Sequence, residues 1–307
     1  MAVSERGGKG EALDLWQQKL NQWKRSETIN QDSETAPVRQ PGLSAMDPFS
    51  QLILTIAVLS FLTFQWLFHS VSPWVSGRVS SGFLGLSPQQ KIEWNSRTVS
   101  TFHALIVGVF CFYILLFDDA INQDPVWGDA TLVKINVGIT TGYLISDLLL
   151  IFYYWSAIGD RYFVVHHLAA LYAYYYVLVK GMLPYFANFR LLAEFSTPCV
   201  NQRWFFEALG YPKSSKPNLA NGVLMALTFF LVRIVVMPVY YGRMYLIYGT
   251  QAFYRVSWGG RLAWIFSSFC LDVMNLMWMH KIARGCYKVL RSSRGPRAPV
   301  QNSRKAD

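Results

Sequence analysis

The chain has 307 residues, of which 52% are hydrophobic, 16% aromatic and only 15% charged. Soluble domains carry about 25% charged residues, so this composition argues against a soluble protein and favours a multi-pass membrane protein. The formal net charge of +10 is concentrated in loops and near the C-terminus. No nucleic-acid-binding motif accompanies that charge, so we expect it to set membrane orientation and to contact anionic lipids, not nucleic acid.

Residues 1–46 form a polar N-terminal extension. Leu13, Trp16, Leu20 and Trp23 recur at three- and four-residue spacing, which is typical of a short amphipathic helix on a membrane surface. The alternative is a largely disordered tail, which the polarity of the segment favours. The segment has no apolar core and is therefore not a cleaved signal peptide.

Seven stretches are long enough to cross the hydrocarbon core of a bilayer, which takes about 20 helical residues. The predicted helices are residues 49–71, 97–117, 132–155, 162–179, 185–209, 219–241 and 262–282. The fifth is the most polar, carries Pro198, and either spans at a tilt or enters the membrane only partway. We expect an all-α bundle of about seven helices, six or seven of them spanning, around a lipid-accessible cavity. Residues 47–287 form this transmembrane domain, and residues 288–307 form a basic disordered tail.

Basic loops favour the cytosolic side of a membrane. With seven spans and a cytosolic C-terminus, the loops carrying Arg78 and Lys91 and carrying Lys213 and Lys216 fall on the cytosolic side. The acidic loop of residues 118–129 then falls on the opposite side. Three basic residues contradict the rule, because they fall on the same side of the membrane as the acidic loop: Arg243, Arg255 and Arg261.

The stretch from Arg161 to Trp204 is apolar enough to enter a bilayer, yet it carries several ionisable groups. Such groups are costly at membrane depth, and they tend to face a bundle interior or a wet cavity where they serve a function. The polar residues of this stretch that we expect to line such a cavity are His166, His167, Arg190, Glu194, Asn201 and Arg203.

The pair His166 and His167 is the candidate catalytic centre, as general base or transient acyl acceptor. Asp147 lies in the middle of the preceding span, where a carboxylate must be protonated or paired, so we expect a histidine of the next helix as its partner. Tyr143 lies one turn earlier on the same face. The alternative is an interhelical polar clamp without turnover. The five histidines and four cysteines form no metal-ligand spacing, so no metal site is predicted.

On the fifth helix, Arg190 and Glu194 are four residues apart, which predicts an ion pair on one helical face. Asn201 follows Glu194 by seven residues and stays near that face. Arg203 and Trp204 lie close to the membrane surface, where they either anchor the helix or bind a lipid phosphate. We therefore count Tyr143, Arg190, Asn201, Arg203 and Trp204 as candidate lipid-binding residues, with Glu194 as a catalytic candidate. Asp272 and Asn275 add polar groups to the last span.

Three segments resemble the TLC domain family, which includes translocation-associated membrane proteins and ceramide synthases. They are GYLISDL in the third span, the histidine pair in the fourth, and LLAEFSTPCVNQRWFF in the fifth. The segments KIEWNSRTVSTFHA and LDVMNLMWM extend the resemblance, which covers roughly residues 46–287. It implies a bundle of membrane helices around a long lipid cavity, usually in the endoplasmic reticulum.

In the ceramide synthase branch, the histidine pair and the aspartates of the following helix serve acyl transfer onto a sphingoid amine. His166 and His167 match that pair. The following helix departs from the synthase pattern, because Ala193 and Glu194 stand where the synthases carry His-Asp, and the further aspartate has no counterpart.

Three functions are consistent with these features. The first is a protein that binds or processes acyl lipid in its cavity and contributes to membrane lipid homeostasis. The second is an acyltransferase that uses acyl-CoA as co-substrate, with a sphingolipid or phospholipid acyl substrate and no resident cofactor. The third is a membrane chaperone or cargo receptor without catalysis. Membrane lipids are the expected partners in the first two.

Overall fold

The computed structural model describes residues 46–293, and seven long helices account for most of that part of the chain. They are α1 (Pro48–Val79), α2 (Pro88–Phe117), α3 (Thr131–Tyr153), α4 (Arg161–Lys180), α5 (184–208), α6 (Lys216–Ile247) and α7 (Trp258–Ser293). The described residues contain no strand, which confirms the all-α fold class. The polar extension of residues 1–46 with its amphipathic stripe, apart from Met46, and the basic tail beyond residue 293 lie outside the described residues.

Local sequence sets several of the helix ends. At the start of α2, Ser87 and Gln90 form a reciprocal capping box, which satisfies backbone N–H groups that have no partner inside the helix. Before α3, the Asp129 carboxylate accepts hydrogen bonds from the hydroxyl and the backbone N–H of Thr131, and these bonds hold the pKa of that carboxyl below its ordinary value. Helix α4 ends at Lys180 and is followed by Gly181, which adopts the left-handed conformation that glycine tolerates best.

Small residues allow α1 and α3 to approach closely. A side chain at Gly142 would meet the carbonyl oxygen of Ala57 and the Cβ atom of Ser60, so only glycine fits there. The Ser60 hydroxyl donates a hydrogen bond to the carbonyl oxygen of Ile139 at 2.7 Å. Close backbone contact and interhelical hydrogen bonds of this kind hold membrane helices together without a hydrophobic driving force.

Six of the seven helices are long and apolar enough to cross a membrane, and α5 is the exception in the described part of the chain. Large apolar side chains cover the outside of the bundle, among them Leu59, Phe117, Val223, Leu246 and Phe269. In water such a surface would be unstable, whereas in a bilayer it faces acyl chains. The chain is therefore an integral multi-pass membrane protein.

Helix α5 combines an α-helix (Pro184–Arg190), a 3₁₀-helix (Leu191–Ser196) and a second α-helix (Thr197–Ala208). It runs antiparallel to α2 along most of the length of that helix. Asn188 and Cys111 exchange two hydrogen bonds, and further along Asn201 bonds to Arg97 and Thr101. Just before α5, the backbone N–H of Leu183 donates to the carbonyl oxygen of Val126 in the loop that follows α2, and near the other end of α5 Trp204 packs against Trp94 in the first turns of α2. Helix α5 therefore extends through the bundle beside α2 despite its polarity.

The connections between helices group at two ends of the bundle. At one end, the Arg243 side chain donates a long hydrogen bond to the carbonyl oxygen of Asn122, and the Arg255 guanidinium lies 4.8 Å from the centre of the Trp127 ring. These arginines therefore share an end with the acidic loop of residues 118–129. This grouping agrees with the alternation predicted for seven crossings.

Candidate functional site

The carboxylate of Asp147 on α3 and the imidazole of His167 on α4 form a largely buried pair, with side chains 12% and 6% exposed, respectively. Nε2 of His167 lies 2.9 Å from Oδ2 of Asp147, and Nδ1 lies 2.7 Å from the carbonyl oxygen of Phe163. A carbonyl oxygen can only accept, so Nδ1 carries a proton, and a second proton lies between Nε2 and the carboxylate. Both ring nitrogens of His167 are therefore engaged within the protein, and neither is free to contact a ligand.

His166 lies in a different environment from its neighbour, because successive residues of an α-helix point about 100° apart. Its ring packs against Trp278 of α7 with the ring centres 5.7 Å apart. Its Nδ1 is buried and has no hydrogen-bond partner in the described structure. His166 also lines a cavity. His167 is not part of the wall of that cavity.

This cavity, the polar cavity, lies among α3, α4, α5, α6 and α7. It has about 670 Å³ of unfilled space, its mouth included. Its wall combines apolar side chains with an unusual number of polar ones for the interior of a membrane bundle, namely Thr140, His166, Tyr174, Arg190, Glu194, Arg233, Tyr240 and Asn275. Two of the four predicted catalytic residues, His166 and Glu194, therefore line the polar cavity.

Glu194 occupies the 3₁₀ segment of α5, and its Oε2 accepts a hydrogen bond from the Thr197 hydroxyl at 2.9 Å. The predicted ion pair between Glu194 and Arg190 is wrong. With 3.0 residues per turn, a residue four positions on lies about 120° around the helix, instead of about 40° in an α-helix. The 3₁₀ segment that follows Arg190 therefore turns the two side chains apart.

Arg190 pairs instead with Asp272 of α7. Nη1 of Arg190 contacts Oδ1 of Asp272, and Nη2 lies 3.0 Å from Oδ2 in a bidentate arrangement. The Tyr241 hydroxyl donates to the same Oδ2 at 2.6 Å. The guanidinium also lies 3.9 Å from the centre of the Tyr240 ring. This cluster joins α5, α6 and α7 and forms one side of the polar cavity.

Arg233 is the second arginine of the cavity wall, and it lies in a π-helical segment of α6 (Phe230–Val235). Its guanidinium donates hydrogen bonds to Oγ of Ser196, Oδ1 of Asn275 and the carbonyl oxygen of Ala193, at 2.9 to 3.0 Å. The partners come from α5 and α7, so Arg233 fixes the position of its helix against both. Single π-helical turns inside α-helices occur frequently at functional sites.

A second cavity of about 450 Å³, its mouth included, adjoins the first and is called the apolar cavity here. It is lined mainly by apolar side chains such as Val177, Leu183, Phe186 and Trp264. Five residues belong to the walls of both cavities: Ala170, Tyr174, Arg190, Tyr240 and Leu271. On α4 the combined lining extends from His166 to Val177, which is about 16 Å at 1.5 Å per residue.

The remaining predicted residues lie away from the polar cavity. Tyr143 stacks on the ring of His103 with centres 3.9 Å apart. Asn201 bonds to α2, as described above. Trp204 packs against Trp94 and the Arg97 guanidinium near the start of α2, and Arg203 precedes it on the same helix. The structure thus does not bring these four candidates to the site.

Two contributors to the buried polar interior were not singled out from the sequence. Arg233 is a single charge within the apolar stretch of residues 219–241, and its three partners cannot be inferred from spacing. His103 is 1% exposed and has no hydrogen-bond partner on either ring nitrogen in the described structure. A histidine inside an apolar span was the available signal for it. No group of three or more potential metal ligands occurs in the described part of the chain.

Comparison with known proteins gives a consistent result. The TLC domain profile matches residues 93–284. TLC domain-containing protein 4-B of Xenopus laevis is 63% identical over 262 residues, covering 85% of this chain and 100% of that protein. TLC domain-containing protein 4 of Homo sapiens is 53% identical over 253 residues, covering 82% of this chain and 96% of that protein. No solved structure matches the chain.

Proposed function

Because this chain belongs to the TLC domain family of multi-pass membrane proteins, we propose that it binds an acyl lipid in its two adjoining cavities and contributes to membrane lipid homeostasis. The observation that supports this proposal best is the contrast between the polar and the apolar cavity, which share a wall at Arg190 and Tyr240. An amphiphile fits that arrangement with its polar group beside Glu194 and Arg233 and its chain beside Phe186 and Trp264. The proposed location is the endoplasmic reticulum membrane, as the family resemblance implies.

Mass spectrometry of lipid that copurifies with the protein tests this proposal. Ala170 is 7% exposed and lies in the wall common to both cavities, so Ala170→Phe should block the passage between them. Val223→Phe is the matched control, because Val223 is 69% exposed on the outer surface. We expect a defined lipid with the wild type and with Val223→Phe, and its loss from Ala170→Phe. Absence of any lipid enriched above the surrounding detergent or bilayer in all three proteins would contradict the proposal.

A second candidate is an acyltransferase, which the position of His166 favours. His166 lines the polar cavity together with Glu194, and its Nδ1 has no partner. As a general base it would accept the proton of an acceptor amine or hydroxyl while that group attacks the carbonyl carbon of an acyl-CoA thioester. The carbon–sulfur bond then breaks, and the thiolate leaves and takes up a proton. Asp147 would act only through His167, which it holds in place.

Lipidomics in cells that lack the wild-type protein separates the two functions. We compare rescue by His166→Ala with rescue by the wild type, at matched protein levels. If the protein is an acyltransferase, His166→Ala should abolish one defined acyl product. A lipid profile identical to the wild-type rescue would remove His166 from any catalytic role and leave lipid binding as the function.

A further inference from the structure

Arg233 is a partly buried cation with an unusual set of partners. It lies near the middle of α6, far from both ends of that span, and its guanidinium lies 4.9 Å from the centre of the Phe229 ring. Its three hydrogen-bond partners, on Ser196, Asn275 and Ala193, are all neutral. A charged group inside a membrane bundle is costly unless an opposite charge compensates it.

The charge of Arg190, the other arginine of the same cavity, is compensated by a carboxylate. Arg190 forms a bidentate ion pair with Asp272. In contrast, no carboxylate oxygen lies within 4.0 Å of a nitrogen of Arg233 among the residues that the structure describes. Glu194 lines the same cavity and interacts with Arg233 electrostatically, but the two are not in contact as an ion pair. Among the described residues, Arg233 therefore has no carboxylate in direct contact, and Glu194 compensates its charge only from a longer distance.

A guanidinium has five N–H donors in a planar fork. The three hydrogen bonds of Arg233 use Nε once, Nη1 once and Nη2 once. One N–H on each of the two terminal nitrogens remains. Two donors on adjacent nitrogens are what a carboxylate or phosphate group accepts in a bidentate arrangement.

We propose that Arg233 binds the anionic oxygen group of the lipid, either the carboxylate of a free fatty acid or the phosphate of an acyl phospholipid. This inference rests on the proposed lipid-binding function and adds the charge of the ligand to it. The anionic group of the ligand forms the direct ion pair that Arg233 lacks, and the acyl chain extends past Arg190 into the apolar cavity. A negative charge on Glu194 weakens binding of the same anionic group, because two ionised acids repel each other at close range.

The experiment measures binding of a naturally fluorescent polyene fatty acid to the full-length protein in nanodiscs, and of the alcohol with the same chain. The wild type should prefer the acid by roughly tenfold or more, since a charged hydrogen-bonded pair is lost with the alcohol. Arg233→Gln should abolish this preference, and Arg233→Lys should keep part of it because lysine has the charge without the fork. Glu194→Gln should strengthen binding of the acid more than binding of the alcohol, and so increase the preference for the acid.

Arg243→Gln is the matched control, because Arg243 is exposed at the end of α6 and should leave both affinities unchanged. Short-chain phosphatidic acid and unlabelled fatty acid compete with the probe in separate arms, and the stronger competitor identifies the source of the anionic group. Equal binding of acid and alcohol by the wild type would overturn the role of Arg233 while lipid binding itself stands. Equal weakening of acid and alcohol in both Arg233 variants would also overturn it. Failure of the wild type to bind either probe, with no copurified lipid, would remove the proposed function as well.

Discussion

His166 and His167 are adjacent in the chain, yet their rings contact different helices: His166 packs against Trp278 of α7, and His167 bonds to Asp147 of α3. The ring centres are 5.8 Å apart and the planes are inclined by 67°. One imidazole is therefore a fixed structural group with both nitrogens engaged, and the other faces the polar cavity. Substitutions of the two histidines should therefore have different effects on stability.

Replacing His167 with alanine should destabilise the protein by about 3 kcal/mol, because it leaves a carboxylate buried without its partner. His166→Ala should cost about 1 kcal/mol or less, since the buried Nδ1 of His166 has no hydrogen-bond partner in the described structure. Unfolding of the purified variants in detergent, followed by circular dichroism, measures both. The double variant Asp147→Leu with His167→Leu should recover most of the loss. Equal destabilisation by the two alanine variants would show that the histidines are not different in the way the structure indicates.

The ion pair between Arg190 and Asp272 gives a second prediction. Asp272→Ala should lower the free energy of unfolding by about 3 kcal/mol, because the Arg190 guanidinium then remains buried without compensation. Arg190→Met combined with Asp272→Leu should be much less harmful than Asp272→Ala, since neither charge is left unpaired. Thermal unfolding in detergent measures the three proteins side by side. If the double variant loses as much stability as the single one, the pair does not carry the interaction.

The contact between α1 and α3 gives a third prediction. Gly142→Ala should force the helices apart, because the new Cβ atom would clash with the carbonyl oxygen of Ala57. We expect a clear drop in Tm of the purified protein. Gly222→Ala is the matched control on α6, where a Cβ atom meets nothing within 4 Å, and alanine should be neutral or stabilising by up to about 1 kcal/mol. Equal Tm values for the two variants would contradict the packing of α1 on α3.

The path of α5 through the bundle gives a fourth prediction. Asp119 and Lys213 are exposed residues that precede α3 and α6, respectively. Because α5 crosses the bundle, cysteines at these two positions should react with a membrane-impermeant thiol reagent from opposite sides of sealed vesicles. The variants carry Cys286→Ser to remove a native thiol near the end of α7. Labelling of both cysteines from the same side would mean that α5 enters the membrane and returns.

Composition and hydropathy were sufficient to predict the helical class and the approximate limits of the spans. Apolar runs of this length have few alternatives in a bilayer, because every backbone polar group must be satisfied within the helix. The pairing of Asp147 with a histidine of α4 also followed from the sequence, since a mid-span carboxylate needs a nearby partner and the next helix offered one. The choice between His166 and His167 depended on helix rotation, which hydropathy does not determine.

Partners that are distant in the chain could not be predicted in the same way. The spacing of Arg190 and Glu194 indicated an ion pair only on the assumption of a regular α-helix, and the 3₁₀ segment Leu191–Ser196 removes that assumption. Arg233 takes its partners from α5 and α7, and its π-helical segment changes its rotation relative to the rest of α6. Local helix geometry of this kind is set by packing against other helices.

The sequence by itself determined that this protein crosses a membrane, which family it resembles and which few polar residues lie at membrane depth. The tertiary structure decided which of those residues pair with each other and which remain facing a cavity. The physical reason is that burial in a bilayer acts on each helix separately and is readable from composition, whereas the compensation of a buried charge depends on the one neighbour that packing brings within a few ångströms.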